Sequence, residues 1–133
     1  MKNNLKEISV YIHLPFCERK CLYCAFTSFV SCDDVQKEYV KHLIKEIENF
    51  KDGYKAKTIY FGGGTPSVLR LDLLGKVFDA LKNKFEIEKD AEITMEVNPN
   101  SVDEEKLGFY KRLGVNRLSM GIQSLNDKTL KKL

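Results

Sequence analysis

The feature that most constrains the fold is a fourfold alternation of strand-like and helix-like runs. Ile8 to Leu14 reads as a first strand, rich in β-branched residues and ended by Pro15. Asp33 and Asp34 can cap a helix to about Phe50, with Val35, Tyr39, Val40, Leu43, Ile44, Ile47 and Phe50 along one face. Asp52-Gly53 is the expected stop. Lys57 to Phe61 predicts a second strand running into Gly62-Gly63-Gly64-Thr65-Pro66. A second helix is expected from Leu71 to Phe85, its buried stripe formed by Leu74, Val77, Phe78, Leu81 and Phe85. Glu92 to Val97 predicts a third strand, stopped by Asn98-Pro99-Asn100. Ser101 with Glu104 reads as a capping box for a third helix that ends at Gly114. Val115 to Met120 predicts a fourth strand, and Asn126 starts a fourth helix.

Alternation of this kind implies an α/β fold, a parallel sheet with right-handed crossovers. A barrel of the TIM type and an open doubly wound sheet both fit the alternation. The strand ends favour the barrel. Each strand run is followed by a loop of special residues: cysteines, glycines, Glu96-Val-Asn-Pro99, then Gly121-Ile-Gln-Ser124. Barrels assemble their sites from such loops on one face. Four strand–helix units do not close an eight-stranded barrel, so the chain is expected to be the amino-terminal part of something longer.

The richest of these loops is Cys17-Glu-Arg-Lys-Cys21-Leu-Tyr-Cys24, spaced C-x₃-C-x₂-C. It offers three thiolates within a short stretch. A [4Fe–4S] cluster is usually held by four cysteines. Three cysteines leave one iron without a protein ligand, and an open metal position is where chemistry happens. Zinc would need a fourth ligand. The usual source is a second Cys or His pair, but the chain has only His13 and His42 and no such pair, and the fourth cysteine, Cys32, would close the site irregularly. Cys21 and Cys24 also form a redox-type C-x₂-C, which leaves Cys17 unexplained.

Composition narrows the class further. At 133 residues, with 43% hydrophobic and 31% charged residues, the chain suits one ordinary globular domain. A net charge of +3, without a stripe of Lys and Arg, does not argue for nucleic acid. The apolar runs are too short for a transmembrane helix, and the first ten residues lack the apolar core of a signal peptide. Clustered cysteines without an export signal are expected in a reducing cytoplasm.

The motifs Tyr11-Ile-His-Leu-Pro-Phe-Cys17, the cysteine run, Tyr60-Phe-Gly-Gly-Gly-Thr-Pro66, Glu96-Val-Asn-Pro99 and Met120-Gly-Ile-Gln-Ser124 occur in the order of one family. The chain resembles the radical S-adenosylmethionine (SAM) enzymes, and within them the oxygen-independent coproporphyrinogen III oxidase family, over about Ile8 to Leu133. The resemblance implies that residues 1–133 are the amino-terminal part of a radical SAM core domain, the rest of the barrel and a carboxyl-terminal domain being absent. It implies a [4Fe–4S] cluster on Cys17, Cys21 and Cys24, with SAM on the open iron. Tyr11, Tyr23, Gly63, Gly64, Thr65, Glu96 and Gln123 match positions that contact SAM in the family. Gly63, Gly64 and Thr65 would receive its methionine end, and a side chain at Gly64 would occupy space the ligand needs. The family's chemistry is the opening of a carbon–sulfur bond of SAM to give a 5′-deoxyadenosyl radical. No residue is singled out as a catalytic acid or base.

A branch point lies at Phe26, where the oxidase branch usually has a fourth cysteine. The phenylalanine branch resembles the haem chaperone, which delivers haem to haem-dependent proteins. That is the expected function, with the oxidase as the alternative, so the resemblance leaves open whether the protein is an enzyme. Implied partners are SAM, haem or coproporphyrinogen III, an electron-donor protein and haem-accepting proteins. Taken singly, the residues have plainer readings. The glycines could form a tight turn, Glu96 a surface charge and Tyr11 an edge aromatic. His13 is expected as a hydrogen-bonded strand residue, and Cys32 as a free, inert thiol.

Overall fold

Burial along the first strand sets the architecture. In β1 (Lys6–Leu14), Ile12 and Leu14 are buried while Tyr11 and His13, on the opposite face, are not. The computed structural model describes residues 4–18, 29, 30 and 32–133. Two-residue strands follow, β2 (Phe16–Cys17) and β3 (Phe29–Val30), paired in parallel with Cys17 opposite Val30. Then come α1 (Asp33–Asn49), β4 (Tyr54–Gly63), α2 (Leu71–Lys84), β5 (Glu86–Val97), α3 (Glu104–Leu113), β6 (Arg117–Met120) and the single turn α4 (Asp127–Leu130).

Among the described residues, β1, β4, β5 and β6 form one parallel sheet in that order. Neighbours in the sheet are successive strands of the alternation. This is the winding of a barrel, without the reversal of order that marks a doubly wound sheet. The helices lie side by side, α1 against α2 and α2 against α3. The core fills the space between helices and sheet. Phe61 of β4 stacks on Phe78 of α2 at 4.9 Å, and Leu14, Ile59, Leu74, Val77, Leu81 and Met95 are fully buried around them. Each such side chain contributes about 1.5–3 kcal/mol by leaving water. The expected stripe of α2 is buried throughout, and Gly114 ends α3 in the left-handed conformation, at φ 110°.

Several boundaries differ from expectation. The chain from Cys17 to Cys32 is not wholly loop, because β2 and β3 pair within it. Cys32 precedes α1, and neither Asp33 nor Asp34 caps it; both lie in the first turn, where their charge favours the helix amino terminus. That helix stops at Asn49, and Val35 and Phe50 are exposed rather than buried. Strand β4 begins at Tyr54, because its polar start pairs with both β1 and β5. Lys55 sits there between Glu88 at 2.9 Å and Glu7 at 3.4 Å. Strand β6 begins only at Arg117. Before it, Asn116 clips the chain to β5, accepting from Ile93 N at 2.8 Å and donating to Ala91 O at 2.8 Å. The capping box fails as well: Asp103 caps α3 by accepting from Lys106 N at 2.8 Å, while Ser101 is buried one turn earlier.

Candidate functional site

The carboxyl ends of the strands converge on Cys17. Two elements hold the chain that leads to it. From α1, the Tyr39 hydroxyl donates to His13 O at 2.6 Å, and its ring meets Phe16 edge-on at 5.1 Å. From the loop after β4, Gly64 N donates to Leu14 O at 2.9 Å and Thr65 N to Phe16 O at 2.6 Å. The Thr65 hydroxyl points at the Cys17 sulfur, 3.7 Å away.

This docking explains the glycines. Gly63 adopts φ +120°, a conformation that L side chains rarely take. A Cβ on Gly64 would lie 2.6 Å from Phe16 O and 2.9 Å from the Cys17 sulfur. The space beside Gly64 is therefore taken by the cysteine segment, so a side chain there would meet Phe16 O and the Cys17 sulfur.

Beside Cys17 opens a cleft of about 670 Å³, lined among others by Gly63, Gly64, Thr65, Asn98 and Gln123. Its size lies within the roughly 300–1,000 Å³ usual for small-molecule sites. The loop after β5 forms one wall. It is tied to the loop after β4: the buried hydroxyls of Ser67, in that loop, and Ser101 hydrogen-bond each other, and Asn98 N donates to Ser67 Oγ at 3.2 Å. The Lys106 ammonium, reaching back from α3, donates to Ser67 O and Ser101 O, both at 2.8 Å. The loop after β6 forms another wall, anchored by Gly121 N donating to Val97 O at 3.1 Å. In it Gln123 has φ 68°, a left-handed conformation that costs a non-glycine residue of order 1–3 kcal/mol.

Tyr11 and Glu96 are not on that wall. They stand on the neighbouring open face of the sheet, with Tyr60 between them. The Tyr11 and Tyr60 rings stack at 6.0 Å and 21°. The Tyr60 hydroxyl donates to Glu96 Oε1 at 2.6 Å, and this bond, with burial and the carboxylate's charge, pushes the Tyr60 phenol up. Burial and the Glu96 charge raise the Tyr11 phenol too. His13 is hydrogen-bonded as expected, its Nδ1 3.0 Å from the Tyr11 hydroxyl. Cys32 is free and exposed. Cys21, Tyr23, Cys24 and the branch residue Phe26 lie outside the described residues.

The sequence reading missed Tyr60, Ser67, Asn98 and Lys106. Tyr60 had a usable signal, since it lies two residues before Gly62 and so on the same sheet face. Lys106 had none, because lysines on a helix usually face solvent.

These donors suit a metal cluster and a polar ligand together. Cys17 offers a soft, nearly buried sulfur at the cleft, and the glycine loop brings bare backbone beside it. Residues 11–133 match the Radical SAM superfamily. The chain belongs to that superfamily, whose members use a [4Fe–4S] cluster and SAM. It is 41% identical to the haem chaperone HemW of Escherichia coli, a match covering 97% of this chain and 35% of that protein. It is 39% identical to anaerobic coproporphyrinogen III oxidase 1 of Cereibacter sphaeroides, over 90% of this chain and 28% of that protein. The solved structure of coproporphyrinogen III oxidase (HemN) from Escherichia coli, a radical SAM enzyme, matches with a TM-score of 0.87 at 29% identity. That match covers 97% of this chain and 30% of the solved one, so the sheet corresponds to part of its barrel. The chain spans about a third of the length of the curated relatives it matches. Among the described residues, no helix is long and apolar enough to cross a membrane.

Proposed function

We propose that the chain carries the cluster and SAM site of a haem chaperone. The observation behind this reading is the docking of Gly64 and Thr65 onto the Cys17 segment at the mouth of the cleft. Cys17, Cys21 and Cys24 would hold three irons as thiolates. When bound, the reduced cluster supplies an electron to the SAM sulfonium, the chemistry on which radical SAM proteins are built. The chain's own residues do the positioning. Gly63, Gly64 and Thr65 line the cleft, and backbone carbonyls there can accept from the ammonium of an amino acid. Gln123 offers an amide on the far wall. Glu96 is suited to accept from ribose hydroxyls, and the Tyr11 ring can pack against a sulfonium. Tyr23 would lie between two cluster ligands.

The chaperone reading rests on Phe26 and on the relatives named haem chaperones. An apolar ring cannot supply the thiol that the oxidase branch carries there. Similarity to an anaerobic coproporphyrinogen III oxidase keeps radical decarboxylation as the second reading. The deciding experiment gives reduced cluster, SAM and coproporphyrinogen III to the protein at its full natural length. Chromatography then looks for protoporphyrinogen IX. The expected result is no conversion, with haem bound and passed to an acceptor protein. Robust conversion would overturn the chaperone reading and establish the oxidase.

A further inference from the structure

We propose that Tyr60 is a positioning residue for the ligand site: it ties up one oxygen of Glu96 and presents the other to the bound cofactor. The proposal rests on the SAM-site reading above and deepens it. In the parallel register Tyr60 lies opposite Tyr11 of β1 and Thr94 of β5. All three therefore stand on one sheet face, and Glu96 stands on it two residues beyond Thr94.

The bond from Tyr60 to Glu96 Oε1 is 2.6 Å, the short range of a hydroxyl donating to a carboxylate. A carboxylate has a second oxygen to offer. Among the described residues Glu96 has no other hydrogen bond. Beneath the pair the backbone leaves no room. A Cβ on Gly62 would lie 2.9 Å from the Tyr60 ring, 3.1 Å from the Tyr11 ring and 3.2 Å from Glu96 Oε1. Tyr60 cannot sink toward its own strand, and the stacked Tyr11 ring holds it from the side. Ser119 and Arg117 of β6 face the Tyr60 phenol from the other side. The carboxylate is thus fixed before any ligand arrives, which lowers the ordering cost of binding. The group it would accept from is a hydroxyl donor, such as a ribose diol.

A double-mutant cycle tests this. Equilibrium dialysis measures SAM affinity in the anaerobically reconstituted protein at its full natural length. Wild type is compared with Tyr60→Phe, Glu96→Ala and the double variant, each checked for iron content. Tyr60→Phe keeps the ring and loses one hydroxyl. It should weaken SAM binding about tenfold. In the Glu96→Ala background the same change should cost less than about twofold, because the two residues act as a unit. An unchanged affinity in Tyr60→Phe, or an equal loss in both backgrounds, would overturn the positioning role while leaving the SAM site standing. An unchanged affinity in Glu96→Ala would overturn the site reading and the proposal with it.

Discussion

At Gly64 the absent side chain decides the local structure. Its backbone lies so close to Cys17 that a Cβ would fall 2.9 Å from the sulfur and 2.6 Å from Phe16 O. Gly64→Ala must push the cysteine segment away, since a backbone oxygen cannot yield as a flexible side chain can. The expected result is a loss of at least about half the iron and sulfide after anaerobic reconstitution, with SAM affinity falling as a consequence. A full cluster with SAM binding alone impaired would show that the residue faces the ligand. Tyr110 is the opposite case, a side chain with an atom too many. It is 1% exposed, and among the described residues its hydroxyl has no hydrogen-bond partner. Burial, with a smaller effect from Asp103, pushes its phenol up to about 12. The unfolded chain would release this proton near pH 10, where the folded protein keeps it. Stability should therefore fall as pH rises from about 10 to about 12. Tyr110→Phe removes that contribution and leaves an unpaired hydroxyl out of the core. Thermal melts should show Tyr110→Phe as stable as wild type at neutral pH and less sensitive to alkali. A large loss at neutral pH would reveal a partner for the hydroxyl.

Among the elements, the walls of the cleft depend on a side chain from a helix outside it. Lys106 sits in the first turns of α3, yet its ammonium binds two carbonyls in the loops after β4 and β5. Lys106→Met keeps much of the stem and removes both bonds. It should cost about 2 kcal/mol, the scale of hydrogen bonds to a charged donor. Hydrogen exchange should quicken in residues 66–69 and 98–102 ahead of the sheet. Uniform change, or none, would mean that the loops hold without it. This latch also shows where the sequence stops being legible. The apolar stripes of α2 and the strands were readable, because burial imposes its period on residue type. Element ends were less so. Ser101 and Glu104 carry a capping-box spacing, but the Ser101 hydroxyl is taken by Ser67 and Asn98 O, so Asp103 caps instead. The polar start of β4 and the clip at Asn116 rest on pairing with distant residues, which no local pattern reports.

In the molecule as a whole, strand order turns scattered motifs into one end of a sheet. Cys17, Gly63, Gly64, Thr65 and Gln123 come together because β1, β4 and β6 run parallel and their loops leave on the same side. That much of the site was legible, since each motif followed a strand run in the sequence. The division into two parts was not. Tyr11 and Glu96 occupy the open sheet face through Tyr60, a relation set by register rather than spacing. That face is the polar side of the sheet, with the helices packed on the other. The central claim is that this end of the sheet holds a cluster with one iron open to SAM. Its most direct test is the electron paramagnetic resonance spectrum of the anaerobically reconstituted, reduced protein, recorded with and without SAM. A [4Fe–4S]⁺ signal is expected that changes when SAM is added, is lost in Cys17→Ala and persists in Cys32→Ala. A signal that SAM leaves unchanged, or one that survives intact in Cys17→Ala, would contradict it.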